Sequence, residues 1–360
     1  MIVRSWEPLS LDYVPASLPF REKEIERIRR FLKAKTKPRM PSTMILDGFT
    51  GTGKTATIRW MVEKAGVGSD LKPAYVNARD ITTYDALVSI ASSLGLLPPR
   101  SKGLSPSEIG SMIEQYSLSY DVLAILDEVD RIRVRSFALD NLLAFLMRTK
   151  GILTILVTNK LEWADENISI DLRPFLKTRV RFDPYNADQL REILRRRAEE
   201  AFVPGDWEEG AIARIAALVA QETGSAKEAI RLLRIAAEIA EEEGSDCLRE
   251  EHVRRAEEED EVRSVMEVMA RIPIQGRLIL SILAEKGAAY SSELYMEYFN
   301  RVQGLGMRVL SKPSFFKILD LLERNFLIEM RPTRLRGKPY RVSLAVDRGM
   351  LMRALEGGLP

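Results

Sequence analysis

Residues 48–55 read Gly48-Phe49-Thr50-Gly51-Thr52-Gly53-Lys54-Thr55, with a Lys-Thr pair directly after the last of three glycines. Residues 43–46 before this run are typical of a buried strand, and residues 56–62 after it are typical of the start of a helix. The order matches G-x-x-x-x-G-K-[ST], the Walker A pattern of a phosphate-binding loop. Glycines let backbone N–H groups curl around phosphate oxygens, and the helix N-terminus adds partial positive charge.

The loop predicts a bound nucleotide together with magnesium. Lys54 is expected to reach the β- and γ-phosphates, and Thr55 is expected to place its hydroxyl on Mg²⁺. The alternative is a chance glycine-rich turn, but all the fixed positions of the pattern and both flanking elements are present. The residues of this segment expected to contact the nucleotide are Gly48, Thr50, Gly51, Thr52, Gly53, Lys54, Thr55 and Ala56.

A second apolar run, 122–126, is typical of a strand buried on both faces and ends in Asp127-Glu128. This is a Walker B pattern. Asp127 is expected to hold Mg²⁺, usually through water, and Glu128 is expected to activate the attacking water as general base. Two adjacent carboxylates at the end of a strand could be ordinary loop residues, but the phosphate-binding loop upstream favours the functional interpretation.

Composition sets limits on the class of protein. The 360 residues predict two or three domains, and 46% apolar with 29% charged residues is typical of a globular protein. We expect no membrane span and no signal peptide, because the apolar runs are short and the N-terminus lacks an apolar core segment. Cys247 and His252 are the single cysteine and histidine, which excludes an internal disulfide and a Cys/His zinc site. His252 is expected on the surface of a helix.

Apolar patterning divides the chain into three predicted parts. Further strands are expected at 74–77 and 152–157, alternating with helices, which indicates an α/β core with a parallel sheet. After Pro184 the strands stop and four helices follow, the last at about 249–263. From Pro273, three helices and a hairpin indicate a winged helix. The predicted domains are 1–183, a nucleotide-binding core, 184–263, a helical lid, and 264–360, a winged-helix domain.

Positive charge is concentrated in the last of these parts. From residue 263 onward the chain has 16 Lys or Arg against nine Asp or Glu, although the net charge of the whole is only +2. Such an excess predicts a polyanionic partner. A winged helix that binds protein is the alternative for the domain, and a solvated loop is the alternative for residues 97–103. The residues expected to contact DNA are Arg100, Lys102, Lys312, Ser314, Lys317, Arg334, Arg336 and Lys338.

The whole arrangement resembles the archaeal replication initiators of the origin-recognition/cell-division-cycle (Orc/Cdc) type, which are AAA+ ATPases. The resemblance covers nearly the full chain and is more specific than the two Walker patterns alone. It rests on Tyr13-Val14-Pro15 with Leu18-Pro19-Phe20-Arg21-Glu22, on 51–55, on Asp127-Glu128, on Phe182-Asp183-Pro184-Tyr185, and on the winged helix with its basic tip at 334–339.

The resemblance implies ATP or ADP with Mg²⁺ as cofactors, and slow hydrolysis that acts as a switch. It implies that Tyr13 and Val14 lie beside the adenine, although plain packing of an N-terminal arm is the alternative, and that Tyr185 lines the site at the lid boundary. Asn159 would orient the water, although an asparagine that serves the turn after its strand is the alternative. Lys227 would face the γ-phosphate where the family usually has arginine. Arg173 would act on a neighbour's nucleotide, with Arg179 as the less favoured candidate, and an ordinary surface arginine is the alternative.

The same resemblance implies the partners and the location. Expected partners are double-stranded origin DNA, the replicative helicase (MCM) and paralogous initiators, in the cytoplasm of an archaeon. Two other functions share these motifs. One is an ATP-gated winged-helix transcriptional regulator or signalling ATPase, and the other is a clamp-loader-like assembly subunit, which the basic wing disfavours.

Overall fold

The computed structural model describes residues 1–33, 41–63, 71–97, 103–333 and 340–356. By its internal contacts the chain separates into two compact units, Met1–Val253 and Arg254–Pro360. Among the helices that lie in the described ranges, none has the length and apolar character needed to cross a membrane.

The first unit is built on a five-stranded parallel sheet in the order β2-β3-β4-β1-β5. Its central strands are apolar on both faces, and every residue of the β4 strand is buried, as parallel sheets between two helical layers require. The strands are β1 (Ser42–Asp47), β2 (Leu71–Asn77), β3 (Asp121–Asp127), β4 (Ile152–Thr158) and β5 (Leu176–Arg181). Because β3, β4 and β1 are neighbours, the segments that follow them meet at one edge of the sheet.

Helices cover both faces of this sheet. The first two pack on one face, around Ile28 and Met61, and the next three pack on the other, around Ile113 and Leu143. The helices of the core are α1 (Glu22–Lys33), α2 (Lys54–Glu63), α3 (Thr83–Ser93), α4 (Pro106–Ser119), α5 (Leu139–Arg148) and the short α6 (Trp163–Asn167). Helix α4 begins with a capping box, in which the Ser105 side chain accepts the N–H of Glu108 and the Glu108 side chain accepts the N–H of Ser105.

The lid follows as helices without strands: α7 (Ala187–Ala201), α8 (Glu209–Glu222), α9 (Ala226–Glu242) and α10 (Glu250–Arg271). Helix α7 begins with a capping box formed by Asn186 and Gln189. The N-terminus is tied to these helices, since the N–H groups of Ile2 and Val3 donate to Glu241 Oε1 at 2.6 and 2.7 Å. The last helix was expected to end at 263 and instead runs to Arg271, so the predicted boundary between 263 and 264 falls inside it.

The expectation that His252 is a surface residue is wrong. His252 is buried, its Nδ1 accepts the N–H of Arg249 at 2.9 Å, and its Nε2 lies 3.5 Å from a Glu243 carboxylate oxygen. Burial lowers the pKa of its imidazole. The residue therefore belongs to the interior face of α10, next to the buried Val253.

The second unit is a winged helix, as expected. It begins within α10, at Arg254, and continues with α11 (Ile274–Lys286), β6 (Ala288–Tyr290), α12 (Ser291–Gly304), α13 (Lys312–Arg324), β7 (Ile328–Pro332), β8 (Tyr340–Leu344) and α14 (Arg348–Glu356). Its antiparallel sheet has the order β6-β8-β7. Phe315, Leu319 and Leu322 of α13 lie in its core, whereas Phe316 is only partly buried. Strand β6 and helix α14 were not predicted.

Candidate nucleotide-binding site

A cavity of about 590 Å³ lies in the first unit, where the loops after β1, β3 and β4 meet the N-terminal segment and the lid. It brings together residues that are far apart in the sequence, from the N-terminal segment to the start of α9. The predicted site residues that line it are Tyr13, Val14, Thr50, Gly51, Gly53, Lys54, Thr55, Ala56, Glu128, Asn159, Tyr185 and Lys227. Gly48, Thr52, Asp127 and Arg173 do not line it.

The glycines of the phosphate-binding loop touch the lid. Gly51 and Gly53 have backbone φ angles of +80° and +93°, which residues other than glycine rarely adopt. A Cβ on Gly53 would stand 2.7 Å from the Tyr185 hydroxyl, and a Cβ on Gly51 would overlap Ser225. The N–H of Ala226, the first residue of α9, donates to the Gly51 carbonyl at 3.0 Å. The loop therefore requires glycine for contact with the lid as well as for its own turns.

Gly48 has a packing reason of its own, because a Cβ there would overlap the carbonyl of Phe182. Thr52 is buried and its hydroxyl donates to the carbonyl of Phe49 at 2.9 Å. These two residues shape the loop from behind the cavity.

Lys54 is only 4% exposed, and its ammonium group donates to the carbonyl oxygens of Gly48 and Phe49 at 2.8 and 2.7 Å. Burial lowers the pKa of this ammonium to about 8, against the opposing attraction of Asp127 and Asp130. An anionic phosphate beside it would favour the charged form and raise the pKa again. The site is thus arranged so that binding an anion and keeping the lysine protonated support each other.

Asp127 and Glu128 occupy the predicted place at the end of β3. Asp127 is 2% exposed: its Oδ2 accepts the hydroxyl of Tyr75 at 2.7 Å, and its Oδ1 accepts the N–H of Glu128 at 2.9 Å. Glu128 has a left-handed backbone, with φ of +52°, and its carboxylate lies 3.8 Å from Arg79 and lines the cavity. A strained backbone at this point aims the side chain at the cavity.

The donor set fits magnesium. A carboxylate on Asp127 and a hydroxyl on Thr55 are hard oxygen ligands, and Mg²⁺ is usually held by one or two such groups together with waters and phosphates. Among the described residues, no group of three or more His, Cys, Asp or Glu could hold a metal by itself. Because Asp127 and Thr55 would leave the remaining coordination positions to waters and phosphates, the two residues suit a cation that arrives with a nucleotide.

Asn159 and Lys227 both line the cavity, one from the loop after β4 and the other from the start of α9. Asn159 follows β4, and its backbone N–H donates to Asp130 Oδ1 at 2.9 Å, which fixes the turn. Lys227 is the second residue of α9, whose N-cap is Ser225. Both residues line the same cavity as the phosphate-binding loop, and their roles toward the water and the γ-phosphate stay predictions.

Tyr13 and Val14 form the cavity wall made by the N-terminal segment. The hydroxyl of Tyr13 donates to Glu200 on α7 at 2.5 Å, and the Arg197 guanidinium lies 4.7 Å from the centre of its ring. The hydrogen bond to Glu200, with burial, raises the pKa of the Tyr13 phenol. The segment is therefore attached to the lid, and its Tyr13 and Val14 line the cavity.

Comparison with known proteins agrees with this geometry. Residues 39–163 match the model of the AAA domain, and residues 191–258 match that of the Cdc6 AAA+ ATPase-type lid domain. The ORC1-type DNA replication protein of Desulfurococcus amylolyticus is 34% identical over 349 residues, covering 91% of this chain and 87% of the relative. The ORC1-type DNA replication protein 1 of Aeropyrum pernix is also 34% identical, covering 96% and 92%.

This chain belongs to the ORC1-type DNA replication proteins. The expected resemblance is thereby confirmed. This ORC1-type protein is similar in structure to the Aeropyrum pernix ORC1 protein solved in complex with DNA. The match has a TM-score of 0.81 and 32% sequence identity, and it covers 99% of this chain and 97% of the Aeropyrum pernix chain. The predicted AAA+ core, helical lid and winged helix are confirmed as the fold.

Sequence reasoning missed the role of Arg21 in the ORC1-type protein. Arg21 is buried, and it donates to the carbonyl oxygens of Thr52 and Asp183 at 3.0 and 2.7 Å. Its guanidinium also stacks 3.9 Å from the centre of the Tyr185 ring. Arg21 thereby joins the phosphate-binding loop to the segment that enters the lid. Arg21 belongs to the segment Leu18–Glu22 that carries part of the family resemblance, but no local sequence pattern indicates contacts with residues so distant in the sequence.

Arg173 is exposed and lies away from the cavity, where it donates to the carbonyl of Asp165 at 3.1 Å. Arg179, the other candidate, pairs with the buried Asp47 and also contacts Asp165 and the carbonyl of Leu161. Within its own chain Arg179 is therefore held more firmly than Arg173. Action of Arg173 on a neighbouring subunit stays a prediction.

Three of the residues expected to contact DNA lie at the start of α13. Lys312 and Lys317 are exposed, and the Ser314 hydroxyl lies 3.0 Å from that of the N-cap Ser311. The Lys312 ammonium is 5.8 Å from the centre of the Tyr295 ring. The other five, Arg100, Lys102, Arg334, Arg336 and Lys338, lie outside the described residues.

Proposed function

We propose that this ORC1-type protein is an ATP-switched replication initiator, which binds ATP and Mg²⁺ in the cavity of its first unit and origin duplex DNA through its winged helix. The observation that carries the proposal is the meeting of Lys54, Glu128, Asn159 and Lys227 around one cavity between core and lid. These are the parts that phosphoryl transfer to water needs: cations for the phosphates, a base for the water and a polar group to orient it.

The proposed reaction converts ATP and water to ADP and phosphate. Lys54 and Asn159 stabilise the charge that develops on the transferred group, and Glu128 accepts the proton of the attacking water. Magnesium, held by Thr55 and Asp127, would neutralise phosphate charge. We expect slow turnover, as the family resemblance implies.

The lid would transmit the state of the nucleotide. Lys227 and Ala226 begin the same helix, and Ala226 already bonds to the carbonyl of Gly51. A γ-phosphate that attracts Lys227 would therefore pull on the end of α9 that rests on the loop. Lysine provides a point charge and not the planar fork of arginine, so this attraction would be less directional than in relatives with arginine.

DNA binding is supported by the exposed lysines of the second unit and by the similarity to the Aeropyrum pernix ORC1 protein. Winged helices place their third helix in the major groove, and here that helix begins with the exposed Lys312 and Lys317. The Aeropyrum pernix ORC1 protein was solved in complex with DNA. Arg334, Arg336 and Lys338 on the wing, with Arg100 and Lys102 of the core, would add phosphate contacts.

Helicase loading, cooperation with paralogous initiators through Arg173, and location in the archaeal cytoplasm complete the proposal. They are supported by membership of the family, whose relatives named above come from archaea. Binding of the purified chain to fragments tiled across the source genome, with ATP and with ADP, would test the DNA part. Protected sites confined to promoters would favour a transcriptional regulator instead.

Replacing Glu128 by Gln tests the ATPase part. We expect turnover to fall by a factor of about 10² to 10⁴, the usual contribution of a general base, while ATP affinity is retained. Steady-state phosphate release and equilibrium ATP binding would be measured on the same preparations. Glu166→Gln, an exposed carboxylate on α6, is the matched control and should behave as the wild type. Unchanged turnover in Glu128→Gln would contradict the assignment of the base.

A further inference from the structure

Tyr75 is a cavity residue to which the proposed reaction gives no task. It lies on β2, the edge strand beside β3, in the register that pairs Tyr75 with Ile125 and Asn77 with Asp127. Because side chains two positions apart on a strand point to the same face, Tyr75 and Asp127 are diagonal neighbours on one face of the sheet. The Tyr75 hydroxyl donates to Asp127 Oδ2 at 2.7 Å, and the ring lines the cavity.

Both oxygens of the Asp127 carboxylate are thus held. Oδ2 accepts from Tyr75, and Oδ1 accepts the backbone N–H of Glu128 at 2.9 Å. Two donors on different elements fix the rotation of the carboxylate and leave each oxygen with a further lone pair.

We propose that Tyr75 is a positioning residue for the divalent cation of the nucleotide, acting by orienting the carboxylate of Asp127. The inference rests on the proposed function, because it assumes that a magnesium nucleotide occupies the cavity. Groups that orient a ligand by hydrogen bonding contribute to how well that ligand holds the metal, and losing one typically costs about 10- to 100-fold in metal affinity or activity. Tyr75 is such a group, contributed by a different strand from the ligand itself.

The proposal separates metal affinity from nucleotide affinity. Removing only the hydroxyl, in Tyr75→Phe, keeps the ring that forms the cavity wall. Asp127 would then rotate more freely, because Glu128 alone would hold it. Binding of the metal would weaken, whereas contacts of the nucleotide that need no metal would remain.

The chain offers a matched control in Tyr84. Its hydroxyl also makes one hydrogen bond, to the carbonyl of Leu104 at 2.8 Å, within the same unit. Tyr84 does not line the cavity. Tyr84→Phe therefore removes the same atom and the same kind of bond at a place without access to the nucleotide.

The experiment measures binding of a fluorescent ADP to the full-length chain, first in EDTA and then over a titration of MgCl₂. For Tyr75→Phe we expect the Mg²⁺ concentration at half-maximal enhancement to rise about 10-fold or more, with unchanged ADP affinity in EDTA. Tyr84→Phe should match the wild type in both. Binding of Mn²⁺ to the ADP complex, followed by electron paramagnetic resonance, gives a second readout without turnover.

Three results would overturn the inference. An unchanged Mg²⁺ midpoint in Tyr75→Phe would mean that Glu128 alone orients Asp127. Equal weakening with and without Mg²⁺ would mean that the hydroxyl supports the cavity wall and not the metal. Failure of the wild-type chain to bind ADP under either condition would overturn the proposed function, and this inference with it.

Discussion

Replacing Arg21 by Met is expected to destabilise the first unit by about 3 kcal/mol. The side chain donates two hydrogen bonds to carbonyl groups, a buried one to Thr52 and a partly buried one to Asp183, and it stacks on Tyr185. Hydrogen bonds from a charged group contribute about 1.5–3 kcal/mol each, so two of them amount to roughly 3–6 kcal/mol. Part of this is offset because methionine carries no charge that has to be buried.

The thermal shift follows from the size of the unit. For domains of about 150–250 residues, 1 kcal/mol moves the melting temperature by about 2–4 °C, so the variant should melt roughly 6–12 °C lower. Nucleotide binding should suffer too, because Thr52 belongs to the phosphate-binding loop. ADP at 100 times its Kd stabilises a protein by about 2.7 kcal/mol, and the same ADP concentration should stabilise the variant less.

Calorimetry with and without ADP would measure both effects. The matched control is Arg30→Met on α1, since Arg30 is exposed and makes an ion pair with Glu26 only four positions away. Exposed pairs of this kind contribute little, so the control should melt close to the wild type. A melting temperature of Arg21→Met within about 2 °C of the wild type, with normal stabilisation by ADP, would refute the view that Arg21 joins loop and lid.

Two further predictions concern ionisation and DNA. The Lys54 ammonium has a pKa of about 8 in the free protein, and bound phosphate would raise it, so binding takes up a proton above pH 8. ADP affinity by isothermal titration calorimetry should hence be level below pH 8 and fall by up to about tenfold per pH unit above it, and a level profile to pH 9.5 would contradict this. Replacing Lys312 and Lys317 by Ala should weaken binding to duplex DNA. The slope of log K against log salt should fall by about 1 for each phosphate that the variant no longer neutralises. Binding would be measured by fluorescence anisotropy, and an unchanged slope would show that α13 does not bind phosphates through these lysines.

The sequence was sufficient to predict features that are formed within one short segment of the chain. The phosphate-binding loop, the Asp127-Glu128 pair and the caps at Ser105 and Asn186 each depend on spacings of a few residues, which the sequence displays directly. The three-part architecture followed from where strands occur and where they stop. These features were predictable because their physics is local.

Contacts between distant segments were not predictable in this way. Tyr75 and Asp127 are 52 positions apart, and Arg21 and Asp183 are 162 apart, so their pairing depends on strand register and on the entry into the lid. The error at His252 has a similar cause. Charged neighbours give α10 a weak apolar stripe, and only packing of the folded lid places His252 and Val253 inside.

The contact between α9 and the loop has a kinetic consequence. Lifting the lid would break the hydrogen bond from Ala226 to Gly51 and withdraw Ser225 from the surface of that glycine. A nucleotide bound in the cavity would then dissociate only when the lid opens. Its residence time would depend more on the strength of the contact between the lid and the loop than on the contacts of its own phosphates. The protein would therefore keep its bound nucleotide for a time set by how often the first turn of α9 separates from the phosphate-binding loop.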